Sequence, residues 1–287
     1  MKTLNDLADN VYVLNLNCEL FKYEILARKL NKRNIKHERF IGTGPQDTSD
    51  SLIEQYEMYS EIINKYKHTD LAEKLITESS KNLHSDLGAY RSPGALGCLL
   101  SNIRMIEDAI ANDYESIIIL QDDVYFHNDF DQLLDIHYDI IRDSDVFYLG
   151  ATECCSVMKR WNWCNPNWTW QKSKIEKQEY LKYRPTSETY GQFALYLHRN
   201  ILSDLLDLLQ LKMFADDQCL AILTSDKYKT RSWVAYPNLV IADLSFSGTF
   251  DHTYADNSTH YNNSLEWFEK YGWNVTNYDL EETYYQV

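Results

Sequence analysis

The chain contains no run of 18 consecutive apolar residues, so no segment can cross a membrane as a helix. Its opening, Met1 to Asn10, is polar and acidic and lacks the apolar core of a secretory leader, so a cytoplasmic protein is expected. Positive charge is scarce. Against 43 Asp and Glu there are 28 Lys and Arg, giving a formal charge of −15 and a pI near 4.9. Such a surface repels a polyphosphate backbone, which disfavours nucleic acid as the main partner. A phosphorylated small molecule would need a metal ion or a local basic pocket to be received. The six cysteines form no Cys-x-x-Cys pair. A zinc site from Cys154, Cys155 and Cys164 would be poorly spaced, and buried reduced thiols are the competing account. Gly42 and Gly44 are followed by no Gly-Lys-Ser, so they mark a turn and not a P-loop. With no internal repeat and no convincing linker, the 287 residues are expected to form a single domain.

Hydrophobic residues make up 44% of the chain, sufficient for a real core. The most informative stretch is Ser116 to Val124. Ile117 to Gln121 reads as a fully buried parallel strand, since apolar runs of that length without alternation belong to sheets covered on both faces. Asp122 and Asp123 follow at once. They therefore sit at the carboxyl end of a central strand, where open α/β sheets bind ligands. Adjacent carboxylates there can hold a hard divalent cation and leave positions for substrate phosphates. A solvated turn is the plain alternative.

The remaining pattern alternates strands and helices. Val11 to Leu16 reads as a strand, Leu20 to Lys32 as a helix burying Ile25, Leu26 and Leu30, and Glu38 to Ile41 as a second strand, a βαβ opening typical of a nucleotide-binding half. Residues 49–87 look like a helical insertion. Ser92-Pro93 then starts a helix to Ala111 that buries Leu96, Leu99, Ile103, Ile106 and Ile110. On another face Gly94, Gly97 and Ser101 form a small-residue strip, open to a ligand or packed closely on a neighbouring strand. A helix over 129–142 and a strand over Val146 to Gly150 follow. Residues 151–184 carry Trp161, Trp163, Trp168 and Trp170, either an acceptor-facing loop that stacks on sugars or an aromatic minicore. Tyr190 to Leu197 returns to strand and Asn200 to Leu211 to helix. Asp216 and Asp217 open another helix, where the dipole favours carboxylates with or without a function. Trp233 to Asp243 supplies the last strands, and residues 249–287 form an irregular tail.

Taken in order, these landmarks resemble glycosyltransferase family 25, which includes bacterial lipooligosaccharide galactosyltransferases and collagen galactosyltransferases. Val11-Tyr12-Val13-Leu14-Asn15-Leu16-Asn17 is similar to the family's opening strand and Asn-Leu-Asp. Pro93 to Ser101 resembles its Gly-x-x-Gly-Cys-x-x-Ser-His, and Ile119 to Val124 its Leu-Glu-Asp-Asp. Tyr190-Gly191, Asp216-Asp217 and Tyr236-Pro237 fall where later elements do. Gln121 stands in place of the family's Glu and Asn102 in place of its His. The arginines after the opening Asn-Leu-Asp are absent, with Cys18, Glu19 and Lys22 nearby instead.

The resemblance implies an α/β GT-A fold, a mostly parallel Rossmann-like sheet flanked by helices. It also implies an inverting hexosyltransferase that takes a UDP-sugar, galactose first and glucose second. The acceptor would be a glycan, a lipid-linked saccharide or hydroxylysine. Asp122 and Asp123 would hold Mn²⁺ or Mg²⁺. Imidazole suits Mn²⁺, so His252 or His260 is a candidate to complete the shell, with a plain surface role as the competing account. Asn15, Asn17, Gly94, Gly97, Ser101, Gln121 and Asp122 would face the donor. Trp161, Trp163, Tyr190 and Gly191 would face the acceptor, and Asp216 or Asp217 would be the base, with helix capping as the competing role. The departures at Gln121 and Asn102 carry a second expectation, a catalytically silent glycan- or nucleotide-binding relative. A metal-dependent phosphohydrolase is a third, weakened by the lack of His and Asp clustered with the pair.

Overall fold

The computed structural model describes residues 2–44, 54–55, 57–59, 61, 93–153, 182–185, 189–212, 214–243, 273–280 and 284. The 49–87 insertion falls mostly outside them, as do the cap Ser92, the cysteines 154, 155 and 164, the four tryptophans of 151–184, and His252 and His260. Strands in chain order are β1 (Asn10–Asn15), β2 (Glu38–Ile41), β3 (Ser116–Gln121), β4 (Val124–Phe126), β5 (Val146–Tyr148), β6 (Thr152–Glu153), β7 (Lys182–Tyr183), β8 (Thr189–Tyr190), β9 (Ala194–His198), β10 (Ser232–Ala235) and β11 (Val240–Ala242). The helices that frame the sheet are α1 (Leu20–Lys32), α2 (Pro93–Ala111), α3 (Phe130–Arg142), α4 (Arg199–Gln210) and α5 (Asp216–Ser225).

Seven strands form the central sheet in the order β2-β1-β3-β9-β5-β10-β7. β1, β2, β3, β5 and β10 point the same way, while β9 and β7 run against them. The apolar run before Asp122 is thus parallel to β1 on one side and antiparallel to β9 on the other, where the sequence predicts parallel pairing. Its lack of alternation comes from cover on both faces, and helices supply that cover whichever way a neighbour runs.

The two faces bury separate cores. Val11, Val13, Ile118, Leu120, Phe147 and Tyr196 meet Leu26 and Leu30 of α1 and Phe130, Leu134 and Ile141 of α3. Tyr12, Ile117, Ile119, Tyr148, Leu195 and Leu197 meet α2, α4 and α5 through Leu96, Leu99, Ile103, Leu205, Leu209 and Leu220. Strand alternation sends successive residues of β3 to opposite layers, giving an α/β/α arrangement consistent with a GT-A fold. Ile110 departs from the predicted core of α2 at 44% exposure, because the buried stripe of the last turn runs through Ile106 and Ala109.

The irregular tail is well packed where it is described. Trp273, Tyr278 and Tyr284 are buried in the α1/α3 layer. Lys29 donates to Asp279 O at 3.0 Å and stands over the rings of Tyr125 and Tyr284, while Arg33 Nη2 pairs with Asp279 Oδ2 at 3.1 Å. Tyr284 Oη donates to Val124 O at 2.5 Å, just beyond the acidic pair.

Candidate active site

Because five strands share a direction, their carboxyl ends lie along one edge of the sheet: Asn15, Ile41, Gln121, Tyr148 and Ala235. β9 begins there, with Ala194 opposite Leu120. The chain turns at Asp122 and Asp123 and leaves the sheet as β4, which pairs with β11. Asp243, just after β11, donates its N–H to Asp123 O at 2.7 Å and pins that turn. The side chain of Asp243 is itself buried and accepts from Tyr125 Oη at 2.6 Å.

Asp122 is 8% exposed, and burial lifts its carboxyl to about 6 against the pull of the Lys22 ammonium and the Asn15 amide. Asp123 is pushed well above the usual carboxylate range by burial and then by the Asp122 charge, with Asp243 adding to it. Its Oδ1 is buried without a hydrogen-bond partner. A buried carboxylate oxygen with nothing to accept from is costly unless a cation or donor meets it. Lys22, buried on α1 and 3.0 Å from Glu19 Oε2, opposes this with positive charge. Burial alone would lower its pKa, but Asp123, Asp122 and Glu19 together hold it raised.

The second acidic pair reaches the same region from α5. Asp216 is buried and held from three directions. Cys98 Sγ–H donates to Oδ2 at 3.1 Å and Asn102 Nδ2 to the same oxygen at 2.7 Å, while Gln192 Nε2 donates to the backbone carbonyl at 2.5 Å. Burial raises the Asp216 carboxyl despite these bonds. The Cys98 thiol is pushed well up by burial and then by Asp216, Asp217 and Asp123, so it lies within the fields of both acidic pairs. α2 therefore bridges them.

A profile of glycosyltransferase family 25 (LPS biosynthesis protein) matches residues 8–220, from β1 through both acidic pairs. The chain belongs to glycosyltransferase family 25. No curated protein matches it. Membership makes it a glycosyltransferase, with a sugar donor and an acceptor as its partners, and no helix among the described residues is long and apolar enough to cross a membrane.

The other expected site residues of this family member are distributed unevenly. Asn15 is 1% exposed; its Nδ2 donates to Glu19 O and Asp122 Oδ2 and its Oδ1 accepts from Arg39 Nε, which places it behind Asp122. Asn17 is exposed in the short turn before α1. Gly94 is half-buried on the first turn of α2, while Gly97 and Ser101 are buried. Ser101 Oγ donates to Gly97 O at 2.6 Å and accepts from Thr43 N at 2.8 Å, so close packing describes this part of the strip. Gln121 ends β3 half-buried. Tyr190 ends β8, and Gly191 follows with φ of +125°, where an added Cβ would meet Phe193 at 2.6 Å. Trp161 and Trp163 lie outside the described residues.

Asp243, Arg39 and Cys98 belong to the site's surroundings without being singled out from sequence. Asp243 is the last residue of the span read as the final strands, Trp233 to Asp243, so the same strand-end logic reaches it. Nothing local marks Arg39. Among the described residues no three His, Cys, Asp or Glu side chains are grouped to hold a metal by themselves. The Asp122–Asp123 turn still fits one, since Asp123 Oδ1 awaits a partner and a hard cation takes further oxygens from water and substrate phosphates.

Proposed function

We propose that the chain is a divalent-metal-dependent, inverting hexosyltransferase that uses a UDP-sugar, galactose first and glucose second. The observation that carries this reading is the turn after β3, whose two carboxylates are disfavoured by burial and include an oxygen with no partner. Asp122 and Asp123 would hold Mn²⁺ or Mg²⁺. When bound, the ion would neutralise the negative charge that builds on the departing diphosphate in a chain of net charge −15.

The residues of α5 divide the remaining work. Asp216 is buried and its Oδ2 accepts from Cys98 and Asn102, which suits it to anchoring the helix start. Asp217, half-buried on the same turn, is the base that takes the hydroxyl proton as the acceptor attacks the anomeric carbon from the face opposite the diphosphate. Gln121 borders the donor from the end of β3, and Tyr190 and Gly191 border the acceptor. The acceptor class is a glycan, a lipid-linked saccharide or hydroxylysine.

The test is UDP release from a panel of UDP-sugars, with Mn²⁺ and with EDTA, beside the Asp122→Asn/Asp123→Asn double variant. Metal-dependent release of UDP with one preferred sugar, lost in the variant, is expected. If calorimetry finds no Mn²⁺-dependent UDP binding, the donor site is abandoned and the catalytically silent relative takes its place.

A further inference from the structure

Arg39 lies on β2, in register with Val13 of β1, and its guanidinium stacks 5.3 Å from the Tyr23 ring of α1. Its Nε–H donates to Asn15 Oδ1 at 2.8 Å. The Asn15 Nδ2 group donates in turn to Asp122 Oδ2 at 2.5 Å and to Glu19 O at 2.9 Å. The amide orientation follows from these partners alone. Two acceptors require the NH₂ group on one side, and one cationic donor requires the oxygen on the other. A flipped amide would set Oδ1 against the Asp122 carboxylate and Nδ2 against the guanidinium.

We propose that Arg39 is a positioning residue for the donor site, acting through the Asn15 amide to hold one oxygen of Asp122 and so fix the aim of the other. This rests on the reading of Asp122 as a ligand of the metal–UDP complex. Lys22 of α1 opposes the charge of the acidic pair, and Arg39 adds a second cation from the next strand, behind Asn15. The Nη2 atom of Arg39 is buried and has no hydrogen-bond partner, so Asn15 is the acceptor that its Nε–H is committed to. Side chains behind a metal-binding carboxylate set its geometry, and their loss lowers metal affinity about 10–100-fold.

Three variants separate donor position from charge. In Arg39→Gln the amide nitrogen falls where Nε stood, so the donor remains and the charge is lost. Arg39→Met places a methyl group there, and Arg39→Lys a methylene that keeps the charge farther out. Mn²⁺ binding is read from the spectrum of the free ion in the presence of UDP, with thermal melting as the control for folding. Arg39→Met and Arg39→Lys are expected to weaken Mn²⁺ binding about tenfold or more, and Arg39→Gln to restore most of it. Wild-type affinity in folded Arg39→Met overturns the inference alone, as does wild-type binding in Arg39→Lys beside weak binding in Arg39→Gln. A wild-type protein that binds no Mn²⁺ with UDP removes the metal reading, and this inference with it.

Discussion

At neutral pH Asp122 is ionised in a place that favours its neutral form. Its folded pKa, near 6, lies above the unfolded value of 3.8, so the folded chain takes up a proton first as pH falls. The stability linked to this group is fully present below pH 3.8 and is lost as pH rises through 6. Asp122→Asn removes that loss. It is expected to melt higher than the wild type at pH 7.5, by roughly 2–4 °C for each kcal/mol gained, while losing turnover. A lower melting temperature would contradict the strain assigned to this carboxylate. His137 has the opposite sign. It is fully buried beside Phe147, neither ring nitrogen has a hydrogen-bond partner, and burial, then Lys182, lowers its pKa to about 4. Its neutral form contributes stability above pH 6.5 that is lost as pH falls toward 4, about 3 kcal/mol across the window. His137→Leu should therefore lose less melting temperature than the wild type between pH 7 and pH 5. Asp122→Asn should lose more, because the group that opposed His137 is gone.

Among the elements, the turns at the carboxyl edge tolerate the least change. A Cβ on Gly150, just after β5, would lie 1.9 Å from the carbonyl oxygen of Val240 and 2.7 Å from Phe193. The oxygen is backbone held in the β4–β11 region and cannot step aside, so Gly150→Ala should cost about 3 kcal/mol in a urea melt. The elements themselves are readable from sequence because propensity and burial agree along most of them. Leu20–Lys32 and Pro93–Ala111 match the helices expected from spacing, and Glu38–Ile41 the strand. The direction of β9 is not readable, since an apolar run records that both faces are covered and nothing about its neighbours. Tyr190 to Leu197 reads as one strand, yet Gly191, with its positive φ, divides it into β8 and β9 on different sheets. The acidic pairs are legible as candidates because each falls at an element boundary. The separation of Asp216 from Asp217 is not, because it depends on Cys98, Asn102 and Gln192 converging from other parts of the chain.

For the molecule as a whole, the segment that matches the family does not enclose its own core. β10, β11 and the tail all follow residue 220, yet β10 pairs with β5 and β11 with β4. Trp273, Tyr278 and Tyr284 then close the layer that α1 and α3 begin. A chain cut after residue 243 keeps every strand of the sheet but leaves this layer open. It is expected to melt without a sharp transition and to bind a hydrophobic dye, and a cooperative melt equal to that of the full chain would show that the tail is dispensable.

The bond from Tyr284 to Val124 spans 160 residues. On a ribosome adding roughly 5–20 residues per second, the carboxylate turn is synthesised about 8–32 s before the tyrosine that backs it. During that interval Asp122 and Asp123 lack the tail residues that pack behind them in the folded chain. Assembly of the site is thus tied to the arrival of distant residues, and a stalled nascent chain would carry the acidic motif without the groups that hold it in place.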